Sequence, residues 1–215
     1  MKILICCGTF NPVTIAHINL GLETLAKLEL DKVIFVPVGN NYKYKKDIVS
    51  GEHRYNMLSL ALQELNLKCV EASDYEINSK EYPYTYNTLR HFKKLYPHDE
   101  IYYLLGDDNL IWLQDWTYYN KIISEFKCVV ANRKRSMLDN LKIINNCSAY
   151  LDYCDNFIVL DNPITNISST EVRKCLKNKD FQRAKRYIYP SVYNYILENN
   201  LYIKKKRKKI MKKQI

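Results

Sequence analysis

The sequence predicts an α/β protein, a doubly wound parallel β-sheet with helices on both faces. Three observations lead there. Short apolar runs alternate with longer stretches of helical periodicity along most of the chain, which is the pattern of successive strand–crossover–strand units. The short runs are apolar at consecutive positions, as strands covered on both faces require. The composition, 47% hydrophobic and 26% charged over 215 residues, suits a folded body with its own core. It excludes collagen-like and wholly disordered classes, and no apolar run approaches the length of a membrane-spanning helix.

Lys2–Cys6 reads as the first strand. Ala16–Leu28 follows as a helix, with Ile18, Leu22, Leu25 and Leu28 at helical spacing. Lys32–Pro37 is the second strand, ended by its proline. His53–Leu65 is helical, with Met57, Leu60, Ala61 and Leu65 on one face. Lys68–Val70 is a short third strand, and Thr85–Leu95 a helix stopped ahead of Pro97. Glu100–Leu105 is a strand ending at Gly106, and Lys127–Ala131 and Phe157–Leu160 complete the sheet. Further helices are expected over Leu138–Cys147, Ser169–Leu176 and Ser191–Glu198. In such sheets ligands bind beyond the carboxyl ends of the strands, so residues just after strands are the candidates for chemistry.

Charge divides the chain. Its formal net charge is +10, yet residues 204–215 carry eight Lys or Arg and no acid, leaving +2 on residues 1–203. We expect one domain over 1–203 and a flexible basic tail over 204–215. Seven cysteines lack any C-x-x-C pair, and Met1–Cys7 is too short for a signal-peptide core. Reduced thiols and a cytoplasmic setting are expected. The run Lys204–Lys209 alone suggests a nuclear address or attraction to nucleic acid, and a solvated tail explains it equally.

Gly8-Thr9-Phe10-Asn11-Pro12-Val13-Thr14-Ile15-Ala16-His17 joins the first strand to the first helix. Gly8 permits close approach where the chain leaves the sheet. Asn11-Pro12 is a turn signal, and Thr14 is a candidate N-cap. Thr14 and His17, three apart, share one side of the helix start, where free backbone N–H groups favour an anion. An ordinary turn with a capping Thr and a half-buried His would look the same. The loop holds neither a G-x-G-x-x-G nor a G-K-[ST] element. Later, Ser168-Ser169-Thr170-Glu171 reads as a capping box, with Arg173 two residues on. That helix start would also favour an anion, and Arg173 would add a bidentate phosphate donor.

Both segments resemble the signatures of the nucleotidyltransferase superfamily, G-[ST]-F-[DN]-P-x-[HT]-x-x-H and I-S-S-T-x-[IV]-R, in order and about 150 residues apart. The resemblance implies a Rossmann-like fold and places ATP against Gly8, Thr9, Phe10, Asn11 and His17. It puts Ser168, Ser169, Thr170 and Arg173 on the β- and γ-phosphates, and makes His17, Thr14 and Arg173 the catalytic set.

Three further segments are similar to nicotinate/nicotinamide mononucleotide adenylyltransferases: Val36–Lys46 with His53-Arg54, Tyr84-Thr85-Tyr86-Asn87-Thr88-Leu89, and Gly106-Asp107-Asp108-Asn109-Leu110 followed by Leu113 and Trp116. By that likeness Gly106 and Asp108 belong to the ATP site, with Asp108 on a ribose hydroxyl. Lys43, Lys46, Tyr84, Thr85, Trp116 and Arg133 belong to the mononucleotide site, with Trp116 stacked on the pyridine ring and Lys45 as a further candidate cation. The Pro-Gly that follows this Arg in the pattern is replaced by Lys134-Arg135.

The implied reaction joins ATP and nicotinate mononucleotide to give nicotinate adenine dinucleotide and pyrophosphate in NAD biosynthesis. Nicotinamide mononucleotide is a second candidate substrate. No protein-bound metal is expected, and Mg2+ would come with ATP. Neither a membrane nor a nucleic-acid partner is implied, and a homo-oligomer is compatible with the pattern. The competing readings are another transferase of the superfamily, such as one acting on phosphopantetheine, and a nucleic-acid-binding protein working through the tail.

Overall fold

The computed structural model describes residues 1–41, 47–80, 82, 84–162 and 167–203. Among them, Lys2–Gly8 (β1), Lys32–Pro37 (β2), Val70–Ala72 (β3), Glu100–Gly106 (β4), Lys127–Ala131 (β5) and Phe157–Val159 (β6) form one sheet of order β3-β2-β1-β4-β5-β6. Every neighbouring pair is parallel. Strand order reverses between β1 and β4, the point at whose carboxyl side such sheets bind their ligands. This is the expected Rossmann-like α/β architecture.

Consecutive apolar residues in each strand feed two cores in turn. Leu4, Cys6, Val33, Phe35 and Val129 face one layer. It is built from Ile15–Lys27 (α1), Gly51–Leu65 (α2), Ser169–Lys177 (α8), Phe181–Lys185 (α9) and Pro190–Glu198 (α10). Ile3, Ile5, Ile34, Tyr103 and Val130 face the other. There Thr85–Leu95 (α4), Tyr119–Glu125 (α6) and Met137–Asn146 (α7) pack, with Tyr75–Asn78 (α3) and Asp107–Leu110 (α5) at the carboxyl edge. The strand alternation explains why the runs read as apolar throughout.

Several boundaries differ from the sequence expectation, each for a physical reason. The third strand is Val70–Ala72, not Lys68–Val70, because its pairing with β2 begins at Val33–Val70. α2 starts two residues earlier than read, since the Ser50 side chain accepts the His53 N–H and caps it. α10 starts at Pro190, whose fixed φ suits the first helical position. The helices α3, α5, α6 and α9 were not expected, being too short for a period to register. Lys43, Lys45, Lys46 and the basic tail lie outside the described residues.

Candidate active site

The loop after β1 folds back on itself through its own side chains. Phe10 adopts a φ of 44° and buries its ring. That ring lies edge-on to His17, with centroids 5.3 Å apart, and edge-on to Phe35. A Cβ on Gly8 would sit 3.0 Å from the Phe10 ring, so only glycine lets the phenyl close over the strand end.

Thr14 caps α1, and it does so reciprocally with His17. The Thr14 hydroxyl accepts the His17 N–H, and the Thr14 N–H donates to His17 Nδ1 at 3.0 Å. The imidazole thus takes the part usually played by Glu or Gln in a capping box. Because a backbone N–H can only donate, Nδ1 must be the lone-pair nitrogen, and the neutral ring carries its proton on Nε2. The ring is thereby oriented as a donor.

The late motif meets this loop. Ser169 Oγ donates to the Pro12 carbonyl at 2.8 Å, and Arg173 Nη1 donates to the Asn11 carbonyl at 2.7 Å. Arg173 Nη2 also reaches Thr170 Oγ1 at 3.1 Å. Ser168 caps α8 by accepting the Glu171 N–H. The reciprocal half of the expected capping box is replaced: Glu171 Oε1 pairs with Arg183 Nη2 of α9 at 2.9 Å. That draws the carboxylate away from the helix start, which keeps the anion-attracting end of α8 uncluttered.

Buried polar groups that local sequence reading did not assign hold the loops in place. Arg54, 1% exposed, donates to the carbonyls of Thr9, Val38 and Val49 at 3.1, 2.6 and 3.0 Å. It ties the segment after β1 to the segment after β2. Tyr202 donates to Asn11 Oδ1 at 2.6 Å. Burial pushes its phenol up, so it stays a donor. Glu76 is buried beneath the same edge, accepting from Thr88 Oγ1 at 2.7 Å and from the Gly39 N–H. Burial raises its carboxyl to about 7, against the pull of nearby Arg54.

On the other side of β1, the segment after β4 meets the segment after β5. A Cβ at Gly106 would run into the Asp108 carboxylate and the Arg133 side chain, so both would have to shift to admit one. Arg133 Nη1 lies 3.3 and 3.4 Å from the two Asp108 oxygens. The buried Asp107 carboxylate accepts N–H groups from the turn that carries Arg133.

The mononucleotide candidates are less uniformly placed. Thr85 opens α4 as its first helical residue, and its hydroxyl hydrogen-bonds Tyr103. The helix cap is Tyr84. Tyr84 is exposed and lies in a row of rings, 4.8 Å from Tyr82 and 5.8 Å from Tyr118 by centroid. Trp116 is half-buried against the second core, whereas Trp112 is 60% exposed. Among the described residues no group of three or more His, Cys, Asp or Glu is placed to hold a metal ion.

The sequence reading missed Arg54 as a strut, Glu76, Asp107 and Tyr202. Arg54 was itself the Arg of the family-like His53-Arg54 pair, and Asp107 doubled the acid after a strand end. Glu76 and Tyr202 carried no local signal.

Comparison with known proteins agrees with the geometry. The cytidylyltransferase-like family model matches residues 5–175. A probable nicotinate-nucleotide adenylyltransferase of Clostridium botulinum (strain Loch Maree) is 36% identical over 196 residues, covering 91% of this chain and 96% of its own. The Clostridium tetani protein of the same name is 33% identical over the same span. Plasmodium falciparum nicotinic acid mononucleotide adenylyltransferase complexed with NaAD superposes with a TM-score of 0.74 at 24% identity, covering 94% of this chain and 97% of that one. With a family model across most of its length and relatives matched almost end to end, the chain belongs to the cytidylyltransferase-like nucleotidyltransferases and, among them, to the nicotinate-nucleotide adenylyltransferases.

Proposed function

We propose that this chain transfers the adenylyl group of ATP to nicotinate mononucleotide by direct in-line displacement, with the loop after β1 and the start of α8 as one polyphosphate cradle. The observation that carries this reading is the pair of bonds from Ser169 and Arg173 to the carbonyls of Pro12 and Asn11. A 5′-phosphate oxygen of the mononucleotide attacks the α-phosphorus. A new O–P bond forms, the bond to the bridging oxygen breaks, and pyrophosphate leaves with the electron pair. The attacking group is already an anion, so no enzyme nucleophile is required.

The work left to the protein is positioning and charge stabilisation. His17 Nε2–H donates to the α-phosphate, with Thr14 orienting the ring. Backbone from Gly8 to Asn11 surrounds the triphosphate, and Ser168, Ser169, Thr170 and Arg173 receive the β- and γ-phosphates. Gly106 and Asp108 receive the ribose. Tyr84, Thr85, Trp116 and Arg133 face the mononucleotide. Mg2+ enters as the ATP complex, held by the phosphate oxygens.

The test is direct: incubate the protein with Mg-ATP and either nicotinate or nicotinamide mononucleotide, and follow dinucleotide and pyrophosphate. Faster turnover with the nicotinate form is expected. Turnover only with phosphopantetheine or a cytidylyl substrate would overturn the reading.

A further inference from the structure

Asp107 is the first residue of α5, directly after the end of β4, and its side chain is wholly buried. Its Oδ2 accepts three consecutive backbone N–H groups, those of Arg133 at 3.1 Å, Lys134 at 2.9 Å and Arg135 at 2.6 Å. The Arg135 guanidinium closes the loop by donating to the Asp107 carbonyl at 3.2 Å. Oδ1 is buried without a partner among the described residues. One carboxylate oxygen facing three successive amides is an anion nest. A buried charge is costly unless so compensated, and three inward amides are costly without it.

The turn over Arg133–Arg135 has no regular secondary structure, and no proline or glycine to set its course. Arg133 reaches Asp108 across a bond that is open to water: the two side chains are 46% and 31% exposed. Such a water-exposed pair contributes little, too little to hold a long side chain in one place. The Asp107 nest is the stronger constraint on where Arg133 sits.

We propose that Asp107 is a positioning residue for mononucleotide binding: it pins the Arg133–Arg135 turn to the end of β4 and so presents the Arg133 guanidinium to the anionic substrate. This rests on the adenylyltransferase reading above. Asp107 touches no substrate and acts through Arg133.

Steady-state kinetics on the full chain test it, with each substrate varied in turn. In Asp107→Ala the KM for nicotinate mononucleotide rises about tenfold, as expected for a displaced binding group. The KM for ATP stays within about twofold and kcat within about threefold. Asp107→Asn keeps an acceptor for the three amides but loses the charge, and its rise is intermediate, about threefold. Arg133→Ala matches Asp107→Ala, and the double variant is no worse than the more affected single one, because the two act as a unit. A mononucleotide KM unchanged in folded Asp107→Ala, an equal rise in both KM values, or fold-changes that multiply in the double variant would each overturn the proposal while the adenylyltransferase reading stands. If Asp107→Ala does not fold, Asp107→Asn decides, and a wild-type mononucleotide KM there overturns it. Wild-type protein inactive with ATP and nicotinate mononucleotide overturns the adenylyltransferase reading itself.

Discussion

The Arg173 guanidinium donates to the Asn11 carbonyl at 2.7 Å, joining positions 162 residues apart. One nitrogen serves the early loop and the other serves Thr170. Both halves of the cradle therefore depend on one planar, two-pronged group. Lysine offers a single head and cannot span both acceptors. Arg173→Lys is expected to lower kcat/KM for ATP by roughly tenfold and Arg173→Ala by roughly a hundredfold. Steady-state rates against ATP concentration check this, and equal activity in both variants would contradict it.

His17 does two jobs that can be separated. Its Nδ1 completes the capping box with Thr14, which leaves the ring proton on Nε2 as the donor. Gln can fill the third helical position of a capping box but lacks the imidazole. His17→Gln should melt within about 2 °C of wild type and still lose turnover by at least ~100-fold. His17→Ala should lose both the turnover and roughly 1 kcal/mol of stability. Thermal melts beside initial rates distinguish the two losses.

The parts of this molecule that were legible in the sequence are those whose signal is local. The major strands and helices announced themselves by period, and Thr14 with His17 by spacing along one helix start. β3 was misplaced because its register is set by β2, a strand more than thirty residues earlier in the chain. Glu171 was misjudged for the same kind of reason. Its partner is Arg183 on the next helix, not the cap of its own. Arg54, Asp107 and Tyr202 acquire their roles from acceptors or donors 5 to 191 residues away, a pairing that no window of sequence displays. The family likeness took in Arg54 and Asp107 as parts of its segments but carried nothing about their bracing contacts.

Arg54 is the brace most exposed to test. It is a buried cation satisfied by three backbone carbonyls. Removing it leaves those carbonyls without a donor in a site closed to water. Arg54→Met should cost roughly 1–3 kcal/mol for each carbonyl left buried without a donor. Urea unfolding measures it. A loss below ~1 kcal/mol would mean the loops after β1 and β2 are held by other contacts.

The basic tail offers a contrast between classes of function. The adenylyltransferase reading predicts that deleting residues 204–215 leaves kcat/KM within about twofold, because the cradle is built from residues that precede it. A nucleic-acid role through Lys204–Lys209 predicts binding that weakens steeply with salt and vanishes with the tail. Filter binding over a salt series, run beside the activity assay, decides between them.

Glu76 links the site's scaffold to pH. Its folded carboxyl titrates at about 7, raised from 4.5 chiefly by burial and held back by the Thr88 hydroxyl, the Gly39 N–H and Arg54. The Cys7 thiol and Tyr103 phenol beside it are themselves pushed up by burial, so both stay protonated and neutral and add no negative charge to oppose its ionisation. Between pH 4.5 and about 7 the native state keeps a proton that the unfolded chain has released. Native protein then binds more protons than unfolded, so stability falls as pH rises through that window. The full effect is on the order of 3 kcal/mol. Glu76→Gln keeps an acceptor for Thr88 and carries no charge at any pH. Its urea midpoint should therefore change less than that of wild type between pH 5 and pH 8, and it should be the more stable of the two at pH 8. Parallel pH profiles for the two proteins would show that Glu76 ionises in its buried place without penalty, and that Arg54 compensates it in full.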